Sequence, residues 1–183
     1  TLRCRVGDRP LMVTKIDIRL AIPTDIDTIS ALYGEAFNPM QPRMSVEQYL
    51  APPGAFALIA HIEIDDPHIG IDGPQNPDPT PAGFLVGRVV LDESEIFSIG
   101  VAHGFLRRGV GRALLETLFA LAATREAKSV FLEVAVDNPG ATALYRRLGF
   151  DVAGRRKNYY QDPSGNRMDA LIMKYDLKNK NLA

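Results

Sequence analysis

Phe105-Leu106-Arg107-Arg108-Gly109-Val110-Gly111-Arg112 lies between a strand-like run, residues 96–101, and a strongly apolar helical stretch, residues 113–123. Two glycines one residue apart at a strand-to-helix turn let backbone N–H groups converge on one point. Such a nest at a helix N-terminus suits a phosphate or pyrophosphate, and three arginines in the same turn carry charge of the right sign. A G-x-G turn alone is a weak signal, because many such turns are only tight turns. The dinucleotide fingerprint needs a third glycine where this chain has Leu114, and the Walker loop needs a Gly-Lys-Ser/Thr that is absent. The turn fits neither common nucleotide motif and still suits a pyrophosphate.

Outward from the turn, the pattern predicts a first strand over residues 16–21 and a helix opened by Pro23-Thr24-Asp25. Ile26, Ile29, Tyr33 and Phe37 recur there at helical spacing, and Asn38-Pro39 closes the helix. Ser45 with Gln48 three residues on is a capping box for a short second helix. A strand over 55–64 follows, then a proline-rich loop over 65–81 with no surviving periodicity. A hairpin over 83–91 and 94–101 precedes the glycine turn and a helix over 109–124. The strand at 130–136 is rich in β-branched residues and predicts burial on both faces. Asn138-Pro139 opens a helix that Gly149 ends, and strands over 150–153 and 170–177 close the order. This order predicts an α/β (α+β) fold: one mixed central sheet of about seven strands with helices on both faces.

Three residues carry candidate chemistry. Glu133 interrupts the apolar run Val130-Phe131-Leu132-Glu133-Val134-Ala135-Val136. Burial there would raise its pKa toward that of a general base; the alternative is a Glu that faces water or pairs with an arginine. Asn138 caps its helix. Tyr145, seven residues on, falls two turns along nearly the same face. Its phenol either donates a proton in a cleft or packs as core.

Read together, the glycine turn, Leu132-Glu133-Val134, the helix from Asn138 through Leu144-Tyr145, and Leu148-Gly149-Phe150 resemble the GCN5-related N-acetyltransferase superfamily. Arg156-Lys157-Asn158-Tyr159-Tyr160 and Asp169-Ala170-Leu171-Ile172-Met173 are similar to the ribosomal-protein alanine N-acetyltransferases within it. The resemblance implies transfer of an acetyl group from acetyl-CoA to a protein N-terminal α-amine, without a metal. It implies that the amides of Arg107, Arg108, Gly109, Val110, Gly111 and Arg112 hold the pyrophosphate. The pantetheine arm would pair with Ile99, Gly100 and Val101, and Asn138 would hold the arm near the thioester. Glu133 would be the base acting through water, and Tyr145 the acid that protonates the thiolate. The family motif's Gln/Arg falls here on Leu106, an acidic position before Asp169 is Met168, and the proline-rich loop is long. Leu106 weakens the donor motif only slightly, because backbone amides do most of the phosphate work, and the other two departures touch the acceptor rather than the donor.

An α-amine, with pKa about 8, is about one-tenth neutral at pH 7, whereas lysine at about 10.4 is neutral in less than about one part in a thousand. One modest base suffices for the first. Other readings are an acetyltransferase for a small-molecule amine and a non-catalytic coenzyme A-binding module. The 183 residues suit one domain over 15–178, with an extension at 1–14, expected to be flexible, and a tail at 179–183. Met12 is a candidate natural start. A net charge of −1 gives no pull toward nucleic acid, and no apolar run reaches membrane-spanning length. Cys4, the single cysteine, predicts a reducing cytoplasm and is a poor acyl carrier. The expected partners are acetyl-CoA and an acceptor protein N-terminus, a ribosomal protein by resemblance.

Overall fold

A computed structural model describes residues 3–6, 9–37, 45–65, 79–161 and 165–179. The strands are β1 (Arg3–Val6), β2 (Arg9–Leu20), β3 (Ala55–Asp65), β4 (Thr80–Val90), β5 (Glu93–Val101), β6 (Ser129–Ala135), β7 (Asp151–Gln161) and β8 (Arg167–Asp176). The helices are α1 (Ile26–Ala36), α2 (Val46–Leu50), α3 (Val110–Thr124) and α4 (Pro139–Leu148). The strands form one sheet in the order β1-β2-β3-β4-β5-β6-β8-β7. Every neighbouring pair is antiparallel except β5 with β6, which α3 connects. The Asn38-Pro39 helix stop and most of the proline-rich loop lie outside the described residues.

The two sheet faces carry separate cores. On one, Val110, Leu114, Leu115 and Leu118 of α3 pack with Leu58, Leu85, Leu132 and Phe150. On the other, Ile29 and Leu32 of α1 and Val46 of α2 cover Ile59, Phe84 and Val86. Helices on both faces of a mixed sheet match the architecture read from the sequence. Ser45 closes its capping box as expected, accepting from the Gln48 N–H at 3.2 Å while the Gln48 side chain takes the Ser45 N–H at 2.8 Å. Among the described residues, no helix is long and apolar enough to cross a membrane.

Three boundaries differ from the sequence reading. The expected first strand starts earlier, at Arg9, and β1 precedes it, so the sheet has eight described strands. β7 is much longer than residues 150–153. It is an edge strand of mostly exposed polar residues, which have no alternating apolar face to betray a strand. Finally, β6 is fully buried on one face only. Val130, Leu132 and Val134 are in the core, whereas Phe131, Glu133 and Ala135 are half-buried, because α1 and α2 pack chiefly over β3, β4 and β5.

Candidate active site

The parallel pairing of β5 with β6 runs only from Glu93 opposite Ser129 to Ile96 opposite Leu132. Past that point β5 continues against β4 as far as Val101, and β6 continues against β8 as far as Ala135. The two strands therefore part, and the β6-facing edge of Ile99, Gly100 and Val101 has no strand partner among the described residues. Two clefts open at this gap.

The first, 690 Å³, is bounded by that free edge and by the glycine turn. Ile99, Gly100, Val101, Arg107, Gly109, Val110, Gly111, Arg112, Asn138 and Tyr145 all line it. Arg107 (φ 62°) and Gly109 (φ 89°) both take the left-handed conformation, which turns the chain sharply into α3. Among the described residues no side chain caps α3, so its first N–H groups have no side-chain acceptor there. A Cβ on Gly100 would lie 2.5 Å from Phe84 Cε1 and 2.8 Å from Ala36 Cβ, so glycine there lets α1 sit against β5. Arg108 behaves differently from its neighbours. Its side chain is buried over the Phe105 ring, 5.4 Å from the centroid, and neither Nη atom has a hydrogen-bond partner among the described residues. That burial pulls its pKa below the usual arginine value.

The second cleft, 790 Å³, contains Glu133 and a wall of aromatic rings: Tyr33, Phe37, Tyr49, Phe97, Tyr159 and Tyr160. Tyr49 stacks on Phe97 with centroids 5.8 Å apart. Glu133 does not sit in the apolar enclosure that its strand suggested. Its Oε1 is 2.6 Å from Arg156 Nε, and the Arg156 guanidinium also lies over the Tyr159 ring at 5.2 Å. The Tyr160 hydroxyl donates to the Glu133 backbone carbonyl at 3.4 Å. The Glu133 carboxylate beside the Tyr159 hydroxyl, with burial, raises the Tyr159 pKa.

The clefts share Phe37, Ile99, Asn138, Ala141 and Tyr145 as wall residues, so they adjoin. Asn138 Oδ1 accepts the Ala141 N–H at 3.1 Å and caps α4, and the residue lines both clefts at once. Tyr145 is 6% exposed and packs edge-on against Phe150. Burial, with a smaller contribution from Tyr160, pushes its phenol well above the ordinary tyrosine value. Thus the structure brings together every candidate from the sequence except the Arg108 side chain. Sequence reasoning treated Tyr33 and Phe37 as packing and did not pair Arg156 with Glu133. Their i, i+4 spacing carried no hint of a cleft, and a contact between β6 and β7 leaves no local trace.

Residues 33–150 match the acetyltransferase (GNAT) family. The chain belongs to that family. Within the GNAT family it is 47% identical over 92 residues to the ribosomal protein bS18-alanine N-acetyltransferase of Salmonella typhimurium, a match covering 50% of this chain. The match spans 62% of the length of that relative. A putative ribosomal protein bS18-alanine N-acetyltransferase of Bacillus subtilis is 29% identical over 163 residues, 88% of this chain and 96% of that protein. The crystal structure of the ribosomal-protein-S18-alanine N-acetyltransferase from Escherichia coli superposes with a TM-score of 0.71 and 28% identity, covering 92% of this chain and 99% of that one.

Proposed function

We propose that this chain transfers an acetyl group from acetyl-CoA to the α-amine of a protein N-terminus, with a ribosomal-protein alanine as the acceptor. The observation that carries the reading is the pair of adjoining clefts. It has a phosphate-suited turn at one end, a carboxylate among aromatic rings at the other, and Asn138 and Tyr145 where the two clefts join.

The residues present suit acetyl-CoA. The uncapped N–H groups of α3 and the left-handed Gly109 form an anion cradle, and the free edge of β5 offers backbone groups to the amides of a pantetheine arm. Acetyl-CoA supplies the acetyl group as an activated thioester. Asn138, with Oδ1 engaged in the α4 cap, offers its side-chain N–H₂ to the arm. Glu133, with Oε1 paired to Arg156, takes a proton from the incoming ammonium through a water. Tyr145, protonated at neutral pH, then gives its phenolic proton to the departing sulfur as the C–S bond breaks, and recovers a proton when the new amide nitrogen loses its second one. No nucleophilic side chain is needed, because the amine attacks the thioester itself.

The names and similarity of the Salmonella and Escherichia coli relatives support the acceptor class. The same reading places the reaction in the cytoplasm. The test is a panel of N-terminal peptides set against free amines, with acetyl-CoA as donor. Acetylation of alanine-initiated peptides is expected, and acetylation of free amines alone would replace this reading with a small-molecule acetyltransferase.

A further inference from the structure

The wall of the acceptor cleft is carried by an irregularity in β7. Between Arg156 opposite Ala170 and Tyr160 opposite Met168, β7 advances four residues while β8 advances two. Two extra residues therefore bulge out, and Asn158 within the bulge takes a left-handed φ of 55°. Asp169 sits opposite. Its Oδ1 accepts the Asn158 backbone N–H at 2.9 Å, and its Oδ2 takes Arg155 Nε at 2.6 Å. Its backbone carbonyl accepts the Val136 N–H at 3.1 Å, just past the end of β6. One carboxylate thus holds β7 at two points, Asn158 inside the bulge and Arg155 just before it, and its own backbone is tied to the end of the strand that carries Glu133.

The bulge sets the directions of Arg156, Tyr159 and Tyr160, the three side chains that surround Glu133. We propose that Asp169 is the positioning residue for the acceptor half of the site, holding the β7 bulge so that Arg156, Tyr159 and Tyr160 frame Glu133. This rests on the reading of that cleft as the acceptor site. A bulge is a device for re-aiming side chains beside a site. The Asn158 N–H and then Arg155 keep the Asp169 carboxyl below the usual range, so the clasp stays charged at neutral pH.

Asp169→Ala, Asp169→Asn and Arg155→Ala separate the parts. The asparagine variant retains an acceptor for the Asn158 N–H and loses the ion pair. Arg155→Ala loses the ion pair and keeps the carboxylate on the amide. Hydrogen exchange at residues 157–160, measured without substrate, is expected to quicken most in Asp169→Ala, less in Asp169→Asn and least in Arg155→Ala. Asp169→Ala is expected to raise KM for an alanine-initiated peptide roughly tenfold while KM for acetyl-CoA stays within about twofold. Should Asp169→Ala fail to fold, Asp169→Asn decides, with a smaller shift in the same two readouts. Unchanged exchange at residues 157–160, or equal rises in both KM values, would overturn the proposal. If the unmodified protein acetylates no peptide, the acceptor reading fails, and the exchange data still decide whether Asp169 holds the bulge.

Discussion

Glu133 Oε1 and Arg156 Nε stand 2.6 Å apart, joining β6 to the edge strand β7 at the wall of the aromatic cleft. The pair fixes one carboxylate oxygen and brings the Arg156 guanidinium over Tyr159. The candidate base is therefore held by the same strand that walls the acceptor cleft.

Glu133→Gln and Tyr145→Phe should each lower turnover by about 10²-fold or more, the range of a lost general base or acid. Coenzyme A affinity, measured by calorimetry, should change little, because the glycine turn is untouched. Unchanged turnover in both variants would remove the roles given to them.

Asn138 has two duties that substitution can separate. Asn138→Ala loses the α4 cap and should cost about 1 kcal/mol of stability. Asn138→Ser keeps a capping oxygen and should recover most of that loss in thermal unfolding. It lacks the amide N–H₂, so turnover should stay low. Full recovery of turnover by serine would limit Asn138 to capping.

Gly109 and Gly111 test the donor cleft. Gly109→Ala forces a Cβ into a left-handed conformation, at about 1 kcal/mol. A Cβ at Gly111 would touch Leu144 Cδ2 at 3.4 Å and Val101 Cγ2 at 3.7 Å, so Gly111→Val fills the cleft floor. Calorimetry should show weakened coenzyme A binding in both, more in Gly111→Val. Wild-type affinity in Gly111→Val would place the coenzyme elsewhere.

Acid stability should track Asp25. Its carboxylate takes Arg19 Nη1 at 2.6 Å, Arg19 Nη2 at 2.8 Å and the Ile22 N–H at 2.8 Å. The Arg19 hydrogen bond, helped by Ile22, holds its pKa at about 2. The folded state thus binds fewer protons than the unfolded chain, where an aspartate titrates near about 3.9. This contribution is complete above about pH 4 and is lost as pH falls toward about 2. Asp25→Ala should cost about 2 kcal/mol at neutral pH and flatten the acid slope of thermal stability. An unchanged slope would mean that the ion pair does not control acid unfolding.

Alkaline stability should fall through the buried phenol of Tyr145 and the half-buried ones of Tyr49 and Tyr160. Burial pushes Tyr49 and Tyr160 up to about 12 and Tyr145 higher still. The unfolded chain releases these protons from about pH 10, so stability is complete below that and declines above it. Phenolate absorbance should rise together with loss of tertiary structure. Titration of all six tyrosines near pH 10 without unfolding would contradict the burial.

What the sequence by itself determined is local. The paired glycines before an apolar run set the turn into α3, because the left-handed turn at Gly109 is available to glycine at little cost. Ser45 with Gln48, and Asn138 ahead of Pro139, set two helix starts through side-chain bonds spanning three residues. The apolar spacing of α1 and α3 chose their buried faces. Only the tertiary structure decided the site between these elements. β5 and β6 part after Ile96 and Leu132, a property of two strands distant in sequence, and that parting frees the edge of Ile99, Gly100 and Val101. The aromatic cleft draws on α1, α2, β5 and β7, and Arg156 reaches Glu133 from a strand whose polar sequence reads as loop. Long-range pairing depends on which strands share an edge, and no spacing along the chain encodes that distance.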